Sequence, residues 1–343
     1  MRTRDLVVHY PGRRRRSPGL DAVRGVSIDI AAGRTVGLVG ESGSGKSSIG
    51  AALLGLVPTA AGTISFDGAD ITHADRAARR LLARRMQVVF QDPFGSMNPA
   101  RTIGETVTEA LRYNLGLDRG VVADRLERAL TDVGLPPSAA GRYPGEFSGG
   151  QRQRIAIARA IAVDPDFIVC DEAVSALDLS VQAQVLNLFA RLKAERGLSY
   201  LFISHDLSVV RYLSDEIVVL FGGRVVEQGP AGTVAGRPAH PYTQALVAAA
   251  PVPDPVEQRR RRLQRIALAV AGAGTVAAPQ GCAFAPRCPL ATAICREEDP
   301  QLAEREQQVK VACHHYEDAR GLFDGVVSTE RTTHTERVEM GGT

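Results

Sequence analysis

The apolar run Thr35–Val39 passes directly into Gly40-Glu41-Ser42-Gly43-Ser44-Gly45-Lys46-Ser47, and a helix-forming stretch opens at Lys46. This junction constrains the fold more than any other segment. A buried strand has to end at Gly40, the glycines at 40, 43 and 45 let the loop turn its amides inward, and a helix has to start where the loop closes. That strand–loop–helix context is the one a phosphate-binding P-loop requires. Backbone N–H groups then surround phosphate oxygens, and the helix N-terminus adds favourable partial charge. Lys46 is expected to reach the β- and γ-phosphates of ATP and Ser47 to ligate Mg²⁺. Gly40, Ser42, Gly43, Ser44, Gly45 and Ser48 complete the expected loop contacts.

A second apolar strand, Phe167–Cys170, ends in Asp171 and Glu172. Carboxylates at the C-terminal edge of a strand beside a P-loop lie where ligands bind in open α/β sheets. Asp171 is expected to hold Mg²⁺ and Glu172 to polarise the attacking water. A third segment, Phe147-Ser148-Gly149-Gly150-Gln151, stands just before a helix at Gln151–Ala162. It would make a second phosphate-binding helix terminus. One γ-phosphate does not need two such sites, so this one makes sense facing ATP held by a partner. On local grounds alone it is equally a loop with a helix cap.

Strands are expected at Asp5–Tyr10, Val26–Ile30, Thr63–Phe66, Met86–Phe90, Tyr200–Ile203, Glu216–Phe221 and Arg224–Gln228. Helices are expected from Lys46 to about Leu54, across Ile103–Val133 with a break at Gly116–Gly120, and at Val181–Arg196. Strands alternating with helices imply an α/β sheet with helices on its faces. Charge is balanced, with 41 basic and 38 acidic residues, which does not favour a nucleic-acid partner. Arg13–Arg16 and Arg259–Arg262 read as solvated loop charge. The weakly polar stretch Ile266–Ala278 is too short to span a bilayer, and the N-terminus shows no apolar secretory segment, so a cytosolic chain acting at a membrane through partners is expected.

Ser148-Gly149-Gly150-Gln151 matches the signature motif of ABC ATPases, and other segments resemble that family's motifs in order. Tyr10 resembles the aromatic residue that stacks on adenine. Gln91, in Phe90-Gln91-Asp92-Pro93, resembles the Q-loop residue that links Mg²⁺ to the membrane partner. Ser175-Ala176-Leu177-Asp178 resembles the D-loop, and His205 the switch histidine that contacts the γ-phosphate. Asn98-Pro99, Gln151-Arg152-Gln153-Arg154, Ser180-Val181-Gln182-Ala183-Gln184 and His240-Pro241-Tyr242-Thr243-Gln244-Ala245-Leu246 resemble the oligopeptide/dipeptide importer group. FSGGQRQRIAIARA and LFISHDLSVVRYLSD resemble the second of its two ATPase subunits. Ala173, Ser48 and Ser44 depart from the residues usual there, and none of these changes removes a catalytic side chain.

The resemblance implies a P-loop ATPase domain over residues 1–230 with a helical insert at about 103–165 and a small C-terminal cysteine domain over 231–322, and the polar, Thr- and Glu-rich composition implies a disordered tail at 323–343. The resemblance also implies ATP hydrolysis driving peptide import. The implied partners are a second ATP-binding subunit in a heterodimer, two transmembrane permeases and an extracytoplasmic binding protein. The chain would sit peripherally on the cytoplasmic face of the membrane. An importer for nickel or another solute, or a soluble ABC ATPase acting on nucleic acid or ribosomes, are the alternatives. Cys170 reads as a buried core thiol. Cys282, Cys288, Cys295 and Cys313 resemble the family's C-terminal cysteine motif, which in related subunits can hold a [4Fe–4S] cluster. Four thiolates could also bind Zn²⁺, or remain reduced thiols.

Overall fold

The computed structural model describes residues 1–12, 19–93, 95–250, 280–306 and 308–320, with the single positions 254 and 259. Most of the two arginine runs, the stretch Ile266–Ala278 and the tail at 323–343 therefore lie outside the described residues. The chain opens with β1 (Arg2–Tyr10), β2 (Leu20–Val26), β3 (Thr35–Val39), α1 (Lys46–Leu53), β4 (Ala61–Phe66), β5 (Ala69–Asp70), α2 (Arg76–Arg85) and β6 (Met86–Val89). A helical segment follows: α3 (Ile103–Tyr113), α4 (Arg119–Asp132), two short 3₁₀ turns and α5 (Gly149–Ile161). Then come β7 (Phe167–Asp171), α6 (Leu179–Arg196), β8 (Ser199–Ser204), α7 (Leu207–Leu213), β9 (Glu216–Phe221), β10 (Arg224–Pro230), α8 (Ala231–Gly236) and α9 (Pro241–Ala249). The chain closes with α10 (Ala293–Glu297), β11 (Ala303–Glu306) and β12 (Val309–Val311).

Among the described residues, the main sheet has eight strands in the order β11-β12-β10-β9-β3-β8-β7-β6, and a second, four-stranded sheet runs β2-β1-β4-β5. Strands β3, β6, β7, β8 and β9 are mutually parallel. Each is a nearly continuous apolar run, as strands covered on both faces must be. All five residues of β3 are buried at its centre. One apolar cluster joins this sheet to the helical segment, and another joins its opposite face to α1 and the smaller sheet.

Helix α3 shows the local logic of the helical segment. Thr102 accepts from Glu105 N while Glu105 accepts from Thr102 N, a reciprocal capping box. Ile103, Val107 and Leu111 repeat every four residues and are fully buried. Each such burial contributes about 1.5–3 kcal/mol.

Several elements differ from expectation. The strand expected at Val26–Ile30 is Leu20–Val26. Alternation identifies Ile28 and Ile30 as inward-facing, and both are buried, but beyond Val26 the chain keeps only scattered bonds to β1, such as Thr3 N–H to Ile28 O (2.8 Å). Helix α2 is not among the expected elements: five of its ten residues are arginine, the rest form only a short Ala/Leu stripe, and none is fully buried, although Leu82 packs against the core. Its start signal is present, since Asp75 accepts from Ala78 N at 2.8 Å. Strands β11 and β12 are also absent from the expected set. They extend the main sheet at β10, pairing Val311 with Glu227 and Lys310 with Gln228.

Candidate nucleotide site

The parallel pairing of β3, β8 and β7 brings their C-terminal ends to one edge, with Val39 opposite Ser204 and Ile203 opposite Asp171. The P-loop, Asp171–Glu172 and His205 all leave the sheet there. Gly45 is the N-cap of α1 with φ 103°, in the left-handed region that favours glycine. A Cβ at Gly45 would lie 2.2 Å from Ala22 O, so only glycine fits. No side chain caps α1, which leaves its first amides to an anion.

Lys46 is 5% exposed, and its ammonium donates to Gly40 O (2.7 Å) and Glu41 O (2.8 Å). Burial lowers its pKa, while Glu172, Asp171 and Glu41 oppose that shift. Ser47 donates to Asp171 Oδ1 at 3.0 Å, which brings the two expected Mg²⁺ ligands together. Burial raises the Asp171 pKa, with the neighbouring Glu172 charge adding to it. A hard cation takes oxygen ligands such as this hydroxyl–carboxylate pair, and its charge would favour ionised Asp171. The residues present therefore fit Mg²⁺.

Glu172 adopts φ 48°, a backbone conformation that non-glycine residues rarely hold. Its N–H donates to Ile203 O at 3.0 Å, and its carbonyl accepts from Ser175 Oγ at 2.9 Å. The carboxylate Oε2 lies 3.4 Å from His205 Nδ1. At the end of β1, the Tyr10 hydroxyl donates to Ser48 Oγ at 3.3 Å, so the residue expected to meet adenine stands over the first turn of α1. Ser42 and Gly43 are exposed in the loop, whereas Ser44 is buried. Gln91 is exposed two residues beyond β6, whose last residue, Val89, pairs with Cys170.

Ser148 is the N-cap of α5. Its Oγ accepts from Gln151 N (3.3 Å), and its own N–H donates to Gln151 Oε1 (3.0 Å). A Cβ on Gly150 would lie 2.2 Å from Val181 Cγ1, so this helix start packs tightly on α6. Gly149 beside it is exposed. Asp178 caps α6, accepting from Ser180 N (3.1 Å) and Val181 N (3.0 Å), and those bonds lower its pKa. Next to it Leu179 is 85% exposed, a large apolar side chain left open at the same surface.

The cysteines divide as expected in one respect only. Cys170 is fully buried in the core. Among the described residues, no group of three or more His, Cys, Asp or Glu side chains is placed to hold a metal ion. The expected ligand sphere of Cys282, Cys288, Cys295 and Cys313 is thus not assembled. Cys282 and Cys288 pack on the main core, Cys313 on a small cluster around Val309, Val311 and Tyr316, and Cys295 is buried on α10. Burial pushes the Cys288 and Cys313 thiols up to about 11 and about 12, and the proximity of the other three cysteines adds to the rise at Cys313.

One feature of the loop is not legible in the sequence. Glu41 N donates to the Tyr242 hydroxyl at 2.8 Å, and Arg287 grips the Glu41 carboxylate with two bonds of 2.8 Å. Tyr242 and Arg287 both belong to segments that stand out in the sequence, but nothing local links either to the P-loop.

The family described as ABC transporter matches residues 23–175, and the oligopeptide/dipeptide transporter C-terminal region matches residues 226–295. A putative peptide import ATP-binding protein of Brucella ovis is 49% identical over 308 residues, covering 88% of this chain and 93% of that protein. The putative oligopeptide transport ATP-binding protein YkfD of Bacillus subtilis is 44% identical, covering 92% and 94%. Among solved structures, the dimeric bacterial ABC transporter cassette MJ0796 is similar with a TM-score of 0.60 and 26% identity, covering 67% of this chain and 98% of that one. On this combined evidence the chain belongs to the ABC transporter ATP-binding subunits, in the oligopeptide/dipeptide group.

Proposed function

We propose that this chain is the ATP-hydrolysing subunit that powers import of oligopeptides or dipeptides. The observation that carries the reading is the junction of Lys46, Ser47, Asp171 and Glu172 at one sheet edge, with Ser47 Oγ 3.0 Å from Asp171 Oδ1. The names of relatives that match nearly the whole chain support peptides as cargo.

The P-loop amides and Lys46 hold the phosphates, and Tyr10 meets the adenine. Ser47, Asp171 and Gln91 hold Mg²⁺, which supplies charge neutralisation on the phosphates when bound. Glu172 accepts a hydrogen bond from the attacking water and orients it, and His205 stands beside it at the γ-phosphate end. Ser148, Gly149, Gly150, Gln151 and Asp178 face the site of a second ATP-binding subunit, so that two chains share two nucleotides. We read that second subunit as a different chain. Two permeases receive the motion through the region around Gln91, and an extracytoplasmic binding protein delivers the peptide. The chain works peripherally at the cytoplasmic face. Among its described residues no helix is long and apolar enough to cross a membrane.

A cluster or zinc at Cys282, Cys288, Cys295 and Cys313 is a separate proposal, supported by the donor set alone, and it requires the four thiols to converge on binding. Iron, sulfide and zinc analysis of anaerobically purified protein tests it, and absence of all three removes it. The main reading is tested by reconstituting the chain with a second ATP-binding subunit, two peptide permeases and their binding protein. Peptide-stimulated ATP hydrolysis is expected, lost with Lys46→Ala. Hydrolysis indifferent to peptide, binding protein and permeases would count against import.

A further inference from the structure

Glu41 is held at three points. Its N–H donates to the Tyr242 hydroxyl (2.8 Å), its carbonyl accepts from the Lys46 ammonium (2.8 Å), and its carboxylate is gripped by both terminal nitrogens of Arg287 (2.8 Å each). Arg287 lies 246 residues further along the chain. Its guanidinium stands 5.7 Å from the Phe221 ring centre and 5.5 Å from that of Phe284. Phe221, Tyr242 and Phe284 pack together with ring centres 4.6–5.5 Å apart, and Tyr242 is fully buried. A rigid aromatic base from β9, α9 and the cysteine-rich segment thus reaches the second residue of the phosphate loop.

The electrostatic problem that this solves is specific. The loop receives a polyanion, yet Glu41 places a carboxylate within it. An uncompensated carboxylate there repels phosphate, and a planar guanidinium in two-point contact is a suitable neutraliser. We propose that Arg287 neutralises and, with Tyr242, positions Glu41, so that the C-terminal segment sets the nucleotide affinity of the P-loop. Arg287 is a positioning residue under this proposal, which rests on the ATP-site reading above.

Glu41 and Arg287 side chains are 43% and 49% exposed, so solvent screening keeps the effect moderate. Equilibrium binding of fluorescent ATP and ADP analogues to the full chain at low salt tests it. Arg287→Ala should weaken ATP binding about three- to tenfold, consistent with one partly screened charge. It should weaken ADP binding less, and the loss should shrink in high salt. Adding Glu41→Gln to Arg287→Ala should restore near-parent ATP affinity, because it removes the carboxylate left uncompensated. A simple loss of packing would not be rescued by that second substitution. Amide exchange in the nucleotide-free P-loop should accelerate in Arg287→Ala and Tyr242→Phe, a readout independent of turnover. If Arg287→Ala does not fold, Arg287→Gln, which keeps a stem over the rings, carries the same comparison. Unchanged ATP affinity on loss of the Arg287 charge, or no recovery when Glu41→Gln is added to Arg287→Ala, overturns the proposal. Failure of the parent chain to bind nucleotide, or parent-like binding by Lys46→Ala, would instead overturn the ATP-site reading.

Discussion

The carboxylate of Glu172 stands 3.4 Å from Nδ1 of His205, on the first residues beyond two adjacent parallel strands. Glu172 occupies a left-handed backbone conformation, and its N–H is tied to Ile203 O, so its position is held by β8 as well as by its own strand. Strain kept at such a point is consistent with a side chain aimed for function.

Glu172→Gln should leave ATP binding intact and lower turnover about a hundredfold or more, the scale of a lost general base. The amide keeps the shape but cannot take up the developing positive charge of the water. The variant should accumulate with ATP in a closed pair. Steady-state hydrolysis near the parent rate in the reconstituted transporter would refute the assignment.

Lys46→Ala acts earlier. Charged hydrogen bonds to phosphate are worth about 1.5–3 kcal/mol, so ATP affinity should fall roughly ten- to hundredfold. Titration calorimetry on the isolated chain measures this without any turnover, and an unchanged dissociation constant would remove Lys46 from the phosphate site.

Ser148 separates capping from partner recognition. Its Oγ already caps α5, and losing the cap costs about 0.5–2 kcal/mol. Ser148→Asp keeps a good capping group but presents a negative charge to a partner's phosphate. Thermal stability should therefore hold within a few degrees while ATPase activity of the assembled transporter collapses. Full activity of the Ser148→Asp variant would show that this helix start does not meet nucleotide. For the same reason the isolated chain should hydrolyse ATP poorly, and strong activity from a strictly monomeric species would contradict the shared-site reading.

Glu227 predicts a pH dependence. It is buried on β10, and its oxygens accept from Ala239 N and His240 N, each at 2.9 Å. Burial outweighs those bonds and raises its pKa to about 7. Neighbouring His240, also buried, is held neutral with its pKa lowered to about 3. Because the folded value lies above the ordinary 4.5, the native chain keeps a proton that the unfolded chain has released. The associated stability is fully present below about 4.5 and is lost as pH rises through about 7, amounting to at most about 3 kcal/mol. Urea unfolding of the parent and Glu227→Gln at pH 5 and pH 8 should show the parent's advantage shrinking at the higher pH. A difference independent of pH would mean that Glu227 is ionised throughout.

The sequence alone determined the parts of this protein built from neighbouring residues. The P-loop, the acid-ended strand at Phe167–Glu172 and the capped start of α5 are each specified within about ten residues by glycine conformations, apolar runs and side chains that bond to nearby amides. Their order along the chain was enough to place it among ABC ATPases. The tertiary structure alone decided which distant segments meet. Arg287 on Glu41 and Tyr242 on the P-loop amide are contacts across hundreds of residues, and no periodicity encodes them. The addition of β11 and β12 to β10 is likewise a matter of which edge lies open, and three-residue β12 is too short to show a period. Four cysteines were legible as a possible ligand set, but whether their sulfurs assemble a metal site depends on packing, and among the described residues they do not. Local bonding is written in adjacent side chains; long-range pairing emerges only when buried surfaces have chosen their partners.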